Sequence, residues 1–204
     1  MNVLETEYEN PFFCHHIEKE NPGARFDFTR WWDPKRFNWT YSSFLAKYFS
    51  NHFEIWWNPE SFNWRSCAAL TRYCRRDFAA WWDPEKFHWN TRTVRLLTKH
   101  YGVFLDTWWD SARFPWKTDT GYLVRELPHR FDTWWNEDKF PWGTIFCNVP
   151  VEHMLVKYCS KYLPVWYSSE GFHLSEAICN LLKTECGDFK ELWAKDYLLY
   201  RLSK

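Results

Sequence analysis

Aromatic residues recur along this chain at fixed intervals, and the interval predicts its architecture. A Trp-Trp pair is followed five residues later by Phe, and two residues after that by a third Trp, as in Trp81, Trp82, Phe87 and Trp89. Successive pairs are 25, 25, 27 and 26 residues apart. Self-similarity at such a period is the signature of a repeat protein. The motif takes up fifteen of the seventeen Trp residues: Trp31, Trp32, Trp39, Trp56, Trp57, Trp64, Trp81, Trp82, Trp89, Trp108, Trp109, Trp116, Trp134, Trp135 and Trp142.

The apolar spacing between these motifs predicts helices. Within 43–57 the apolar residues fall on one helical face, so we expect a long helix that ends at the Trp pair. An Asp or Asn follows each pair, and in three copies it precedes Pro, as in Asp83-Pro84. This is a typical helix start, and it predicts a short helix as far as the third Trp. A second set of caps predicts where each long helix begins: Thr40, Ser66, Thr91, Thr118 and Ser175.

A single unit of this kind cannot bury its aromatic face alone, whereas stacked neighbours can. We therefore predict an all-α fold, an α-solenoid of about five to six repeats of about 25 residues, each with a short helix and a longer one. The repeats cover 28–174 and include a degenerate copy at 165–174. An acidic cap is expected at 1–27 and a helical cap without the Trp pair at 175–204, all in one continuous domain. The repeated Trp residues then form the core instead of a stacking platform for bases or sugars.

The unit length, the Asn/Asp-Pro step and the alternation of short and long helices are similar to leucine-rich-variant repeats and, more loosely, to HEAT-like solenoids. The resemblance covers 28–174 and lies in geometry, since those families use Leu, Val and Ala where this chain has Trp and Phe. It implies a curved α-solenoid. Because those families include both protein-binding and nucleic-acid-binding members, it does not choose a function.

The totals favour a reduced, cytoplasmic protein. The chain has 204 residues and a formal net charge of zero. Its seven Cys are an odd number, and no secretory leader precedes them, so we expect no disulfide framework. No apolar run reaches eighteen residues, so we expect no membrane span.

Charge is distributed unevenly despite the neutral total. Residues 1–27 carry six acidic and two basic side chains, and residues 65–99 carry eight basic and three acidic ones. If adjacent long helices lie side by side, the second segment predicts a basic face for an anionic partner. The same residues are also explained as solvated surface charges that compensate helix dipoles, and both interpretations stay open. The predicted basic face consists of Arg65, Arg72, Arg75, Arg76, Arg92, Arg95 and Lys99.

Residues for catalysis or metal binding do not form a recognisable set. The sequence lacks the standard phosphate-loop, nucleophile-elbow, metalloprotease and dinucleotide strings. The cluster Cys14-His15-His16 has no second half at metal-ligand spacing, so we expect no metal, cofactor or catalytic residue. Cysteines spaced seven apart lie on one helix face and are expected to be buried thiols: Cys67 with Cys74, and Cys179 with Cys186. Two histidines share a slot that also accepts Asn and Pro, which is typical of a turn: His88 and His173.

Two functions fit these observations. The first is a non-catalytic repeat protein that binds a protein partner as an adaptor or inhibitor, for example as an antagonist of a larger complex, because solenoids present extended surfaces. The alternative is nucleic-acid or nucleotide binding through the basic face at 65–99, with bases stacked on exposed aromatic rings. The sequence pI of about 7.1 counts against the alternative, since dedicated nucleic-acid binders are usually basic overall.

Overall fold

The computed structural model describes residues 27–203 and confirms the predicted all-α repeat fold. α-Helices and short 3₁₀ turns form most of this stretch. Its only strands, Ile145–Phe146 (β1) and Val149–Pro150 (β2), pair as one antiparallel hairpin. None of the helices within 27–203 combines the length and the apolar character that crossing a bilayer requires.

Each repeat contains one shorter and one longer α-helix. The shorter helices have four residues each and are α1 (Phe28–Trp31), α3 (Phe53–Trp56), α5 (Phe78–Trp81), α7 (Leu105–Trp108), α9 (Phe131–Trp134) and α11 (Leu163–Trp166). The longer helices are α2 (Ser42–Tyr48), α4 (Cys67–Tyr73), α6 (Thr91–His100), α8 (Trp116–Glu126), α10 (Val151–Tyr158) and α12 (Glu176–Glu185). The last helix, α13 (Lys190–Leu202), begins where a shorter helix is expected and continues for thirteen residues.

The predicted long helix at 43–57 is not continuous, and its break explains the position of Trp56, the first Trp of its pair. Phe49 ends α2 with φ −124° and ψ 29°, a 3₁₀ turn follows at Ser50–His52, and α3 begins at Phe53. In a straight α-helix, seven residues span about 10 Å along the axis and each carbonyl is used by the N–H four residues later. At the break, the Phe49 carbonyl instead accepts the His52 N–H at 2.9 Å and the Trp56 indole N–H at 2.7 Å.

The same indole bond recurs in every later repeat of the described chain. Each Trp is at most 4 % exposed, and each carbonyl lies seven residues earlier and also accepts the N–H three residues after itself. A buried indole N–H needs such a partner, because leaving it unpaired costs about 1–3 kcal/mol. The pairs are Trp81 with Cys74 (2.8 Å), Trp108 with Tyr101 (2.9 Å), Trp134 with Leu127 (2.8 Å), Trp166 with Cys159 (3.1 Å) and Trp193 with Cys186 (3.0 Å).

The segment after each Trp pair is a single turn, which corrects the predicted short helix there. Asp33 does act as predicted at its start: its side chain accepts the Lys35 N–H at 2.9 Å, and its carbonyl accepts the Phe37 N–H at 3.0 Å. The turn then stops because Asn38 is extended, with φ −79° and ψ 101°. Asn38 must be extended to cap the next helical segment, where its side chain accepts the Thr40 N–H at 3.1 Å.

The second set of caps is right at one position and wrong at four. Ser175 caps α12 as predicted, accepting the Ile178 N–H at 3.2 Å. In the first two repeats an Asn caps a 3₁₀ turn that leads into the longer helix, and Ser66 precedes α4 without making a capping bond. In the third repeat Asn90 caps α6 directly, and all three Asn amide oxygens reach the backbone N–H two residues onward. Pro115 precedes α8, which begins before the predicted cap. The capping bonds predicted for Thr40, Ser66 and Thr91 are made by Asn38, Asn63 and Asn90, and Pro115 takes the position predicted for Thr118 without a side-chain bond.

The contacts of the chain divide it between His88 and Trp89 into two compact units. In the first unit, α2 packs against α4. In the second unit, α6, α8, α10 and α12 each pack against the next, and α13 packs against α12. The prediction of one continuous domain stays a prediction. Of the predicted acidic cap at 1–27, residues 1–26 lie outside the described residues.

The C-terminal segment contains a further repeat that the sequence interpretation missed. Residues 175–204 lack a Trp pair, since Ala194 follows Trp193. However, the α12 helix, the 3₁₀ turn Gly187–Phe189 and the Trp193–Cys186 bond reproduce the geometry of the earlier repeats. The seven-residue interval from Cys186 to Trp193, which also separates Cys74 from Trp81, was the signal available in the sequence.

Candidate partner-binding surfaces

The fifteen repeated Trp residues occupy three positions that differ in exposure. From the second repeat onward the first Trp of each pair is buried, and the second is half-buried. Trp57, for example, stacks on Phe53 with ring centroids 5.1 Å apart and meets Trp64 edge-on at 5.9 Å. The third Trp is half-buried or, at Trp116, 9 % exposed. None of the fifteen is an exposed residue, so the described surface offers no fully open Trp ring to a ligand.

Four of the predicted basic residues lie in the first unit. Arg65 is in the 3₁₀ turn Trp64–Ser66, and Arg72 is in the last turn of α4. Arg75 and Arg76 are in the 3₁₀ turn Arg75–Asp77 that follows. All four are exposed, and the Arg72 guanidinium lies 5.6 Å from the centre of the Tyr73 ring.

Arg75 and Arg76 form one wall of a cleft in the first unit, which we call the arginine cleft. It has a volume of about 630 Å³, and residues 50–55 also line it. Glu54 and Asp77 also line it, so its charge is mixed. Burial raises the pKa of Asp77, the nearby Glu54 carboxylate raises that pKa further, and Arg76 opposes both effects.

The arginine cleft also has an apolar component. Ile55 is 46 % exposed and Tyr73 is 37 % exposed, and both line it. An exposed aliphatic side chain beside charges of both signs resembles the composition of a protein interface, in which an apolar centre has a polar rim.

The other three predicted basic residues lie on α6 in the second unit. Arg92, Arg95 and Lys99 are all exposed, and their spacing of three and four residues places them on one side of the helix. The Arg95 guanidinium lies 5.4 Å from the centre of the Tyr122 ring on α8, and Arg125 lies 5.6 Å from the same ring.

Arg125 extends this basic surface, and the sequence interpretation missed it. Its guanidinium is also 6.0 Å from the centre of the Phe146 ring in β1. Arg125 follows Tyr122 by three residues on α8, so the helical spacing was visible, but it lies beyond the 65–99 window of high net charge. The predicted merging of Arg65, Arg72, Arg75 and Arg76 with Arg92, Arg95 and Lys99 into one face joins residues of different units and stays a prediction.

Asp119 is a fully buried acidic side chain in the second unit. Its Oδ2 accepts the hydroxyls of Thr118 at 2.7 Å and Thr91 at 3.1 Å, which ties α8 to α6. Burial raises its pKa above 3.8, although both hydroxyls oppose that shift. Stability associated with the protonated carboxyl is therefore present below the ordinary pKa and lost as the pH rises through the raised one. Asp119 has a structural role that the sequence interpretation did not identify.

The cysteines predicted to be buried are buried in the structure. Burial raises the pKa of the Cys74 thiol to about 12 and of Cys186 to about 11, so neither is a nucleophile near neutral pH. The histidines predicted in turns, His88 and His173, lie outside helices and are exposed. Between residues 27 and 203, no group of three or more His, Cys, Asp or Glu side chains is arranged to hold a metal ion. The Cys14-His15-His16 cluster lies outside the described residues.

The β1–β2 hairpin is the largest departure from the repeat. The interval from Trp134 to Trp166 is 32 residues, and the additional residues lie between the third Trp and α10. Cys147 and Asn148 form the two-residue turn with φ values of 50° and 65°, as a type I′ turn requires. β-Branched and aromatic residues at 144–146 and 149, on either side of Cys147-Asn148 and between Gly143 and Pro150, were the sequence signal for this hairpin.

Comparisons of this chain with models of protein families, with curated proteins and with solved structures found no match. The functional interpretation therefore rests on the geometry and chemistry of the surfaces described above.

Proposed function

We propose that this chain is a non-catalytic, cytoplasmic repeat protein that binds a protein partner, as an adaptor or as an inhibitor of a larger complex. The mixed composition of the arginine cleft is the observation that supports this function best. Arg75 and Arg76 lie beside Glu54 and Asp77, and exposed Ile55 and Tyr73 complete the lining.

This mixture favours a protein over a polyanion. Nucleic acid presents phosphates at every step, so its binding sites are lined predominantly by cations. In the arginine cleft a phosphate would meet two carboxylates, and the pKa of Asp77 is already raised, first by burial and then by the nearby Glu54 carboxylate. A protein surface, by contrast, can present basic, acidic and apolar side chains at matching positions.

The test is affinity capture from a native lysate of the source cells, with and without nuclease, using charge and polarity variants of the arginine cleft. Arg76→Glu and Ile55→Asp each change an exposed side chain that lines it. Arg30→Glu is the matched control, because Arg30 is exposed on α1 of the same unit and does not line the cleft. Bound material is identified by mass spectrometry and by nucleic-acid staining.

We expect the wild type and Arg30→Glu to retain the same protein after nuclease treatment, and both cleft variants to lose it. Circular dichroism melts should be the same for all four proteins, since the substituted side chains are exposed. Loss of the captured material on nuclease treatment, or equal retention by the cleft variants and the control, would contradict protein binding at this cleft.

Nucleic-acid or nucleotide binding is the second candidate, and the geometry of α6 is what favours it. Arg92, Arg95 and Lys99 form an exposed basic ridge, and Arg95 packs over Tyr122. If this ridge binds phosphates, the affinity for a single-stranded oligonucleotide should fall steeply with salt and should be lost in the triple variant Arg92→Glu, Arg95→Glu, Lys99→Glu. If the wild type binds the oligonucleotide weakly and the triple variant binds it equally well, the second candidate is excluded.

A further inference from the structure

We propose that a cavity beside the β1–β2 hairpin is a second docking site, which binds an acidic peptide segment carrying one bulky apolar side chain. This hairpin cavity has a volume of about 310 Å³ and lies within the second unit. It is a different site from the arginine cleft, so either proposal can fail without the other.

The hairpin cavity is preformed because Phe146 packs the hairpin against α8 and hydrogen bonds close the hairpin itself. Phe146 lies directly over Gly121 of α8, where a Cβ atom would overlap its ring, and it meets Tyr122 edge-on at 4.7 Å. In β2, Val149 pairs with Phe146, and the N–H of Val151 donates to the Thr144 carbonyl at 2.9 Å. A site that exists before the ligand arrives loses less conformational entropy on binding.

The floor of the hairpin cavity is apolar and comes from three elements. Phe146 and Val149 contribute from the hairpin, Met154 from α10 and Leu181 from α12. The volume is at the lower end of the range for ligand sites, which is about 300–1,000 Å³. It therefore suits one bulky side chain, such as Phe or Leu, and not a long groove-filling helix.

The rim of the hairpin cavity carries only cationic and neutral groups. Arg125, His153 and Lys157 line it, and no carboxylate does. Glu126, which follows Arg125 on α8, is already engaged, because its Oε1 lies 2.8 Å from Arg125. Lys157 makes no ion pair within residues 27–203. This charge is complementary to carboxylates that flank an inserted apolar side chain, and complementary charge determines which partner is accepted.

Fluorescence polarisation with labelled nine-residue peptides tests the proposal on the full-length protein. The probe has Phe at its centre and Glu or Asp at the other positions. One comparison peptide replaces the Phe by Gly, and another replaces every acidic residue by Lys. A labelled nine-residue oligo-dT serves as the nucleic-acid probe. Because burying a Phe side chain contributes enough for about a ten-fold change in affinity, we expect the Phe peptide to bind at least that much more tightly than the Gly peptide.

Two matched pairs of variants locate the binding. Val149→Glu changes a residue that lines the hairpin cavity, whereas Ile145→Glu makes the same kind of change on the same hairpin at a residue that does not line it. Lys157→Glu reverses a charge of the rim, and Lys195→Glu reverses an exposed charge on α13. All four positions are exposed. Lys157→Glu does not change the hairpin, so it still tests the cavity if Val149→Glu disturbs the hairpin.

We expect Val149→Glu and Lys157→Glu to weaken binding of the Phe peptide about ten-fold or more, and the two controls to stay within about two-fold of the wild type. The proposal is overturned if the Gly or the Lys peptide binds as tightly as the Phe peptide, if oligo-dT displaces the Phe peptide, or if the controls weaken binding as much as the cavity variants.

Discussion

At the scale of single residues, the two Trp residues of a pair have different structural roles. The first Trp of a pair supplies both buried area and the indole bond to the carbonyl at which the longer helix ends, as Trp81 does with Cys74. The second lies on the surface of this core, as Trp82 does against Phe78 and Phe87 at 5.3 Å and 4.9 Å. Adjacent residues of identical type therefore contribute unequally to stability.

Substitutions of Trp81 and Trp82 should distinguish these two roles by their effect on stability. We expect Trp81→Ala to reduce the free energy of unfolding by about 3–5 kcal/mol, because it removes a fully buried ring. Trp81→Phe keeps an aromatic ring but loses the N–H and some volume, so it should cost about 1–3 kcal/mol. Trp82→Ala should cost less than half as much as Trp81→Ala, since Trp82 is half-buried.

Urea unfolding followed by far-ultraviolet circular dichroism measures all three variants without relying on Trp fluorescence. Equal losses for Trp81→Ala and Trp82→Ala would show that the two positions are equivalent, which contradicts the difference in burial between them.

At the scale of elements, the sequence predicts the repeat and its helical content but not where each helix ends. The interval between aromatic residues is visible in the sequence because it depends only on side-chain type. It correctly predicts that the repeated aromatic residues pack together within the fold. The break at Phe49 depends on a hydrogen bond to Trp56 seven residues later, a relation that helical periodicity does not represent. Similarly, the sequence assigns the slot of Asn38 to a turn but does not show that Asn38 is a cap, since that role depends on which backbone N–H its side chain reaches.

The candidate surfaces were predictable only in part, for a related reason. The charge of 65–99 identified Arg75 and Arg76, but one of the two carboxylates that line the cleft with them, Glu54, comes from the previous repeat and is brought there only by folding. The hairpin cavity combines Arg125 with Val149 and Leu181, which are far apart in the sequence. No local sequence motif predicts that such distant residues line one cavity.

The glycines of the second unit provide a test of how closely these elements pack. A Cβ atom at Gly171 would overlap the indole ring of Trp142, whereas a Cβ at Gly187 has nothing within 4 Å. We expect Gly171→Ala to destabilise the fold by about 1–3 kcal/mol through overpacking. Gly187→Ala should be neutral or stabilising by up to about 1 kcal/mol, because it mainly restricts the unfolded chain.

Thermal melts and urea midpoints of the two glycine variants measure this difference. If Gly171→Ala matched the wild type, the approach of Trp142 to the backbone at this position would not be as close as the structure places it.

At the scale of the whole molecule, the cysteines report separately on the two units. Cys67 and Cys74 are buried in the first unit, and Cys159, Cys179 and Cys186 are buried in the second. Burial raises the pKa of the Cys159 thiol to about 12, as it does for Cys74. Cys147 in the hairpin turn is exposed. A thiol reagent therefore distinguishes the native surface from the interior of each unit.

Labelling with N-ethylmaleimide at neutral pH, read residue by residue by mass spectrometry, should modify Cys147 first in the native protein. Cys14→Ser provides the background for this experiment, so that every reporter lies within the described chain. The buried thiols should react only as urea unfolds the unit that contains them. Comparable rates for Cys147 and the buried thiols without urea would contradict their burial.

The same labelling tests the predicted continuous domain when it is combined with the glycine variants. We expect Gly171→Ala to shift the labelling of Cys159, Cys179 and Cys186 to lower urea concentrations, because the substitution lies in their unit. One continuous domain requires Cys67 and Cys74 to shift with them, since a cooperative fold loses stability as a whole. Gly187→Ala should shift neither set to lower urea. If the first-unit thiols kept the wild-type midpoint while the second-unit thiols moved, the two units would unfold independently and the prediction of one continuous domain would be wrong.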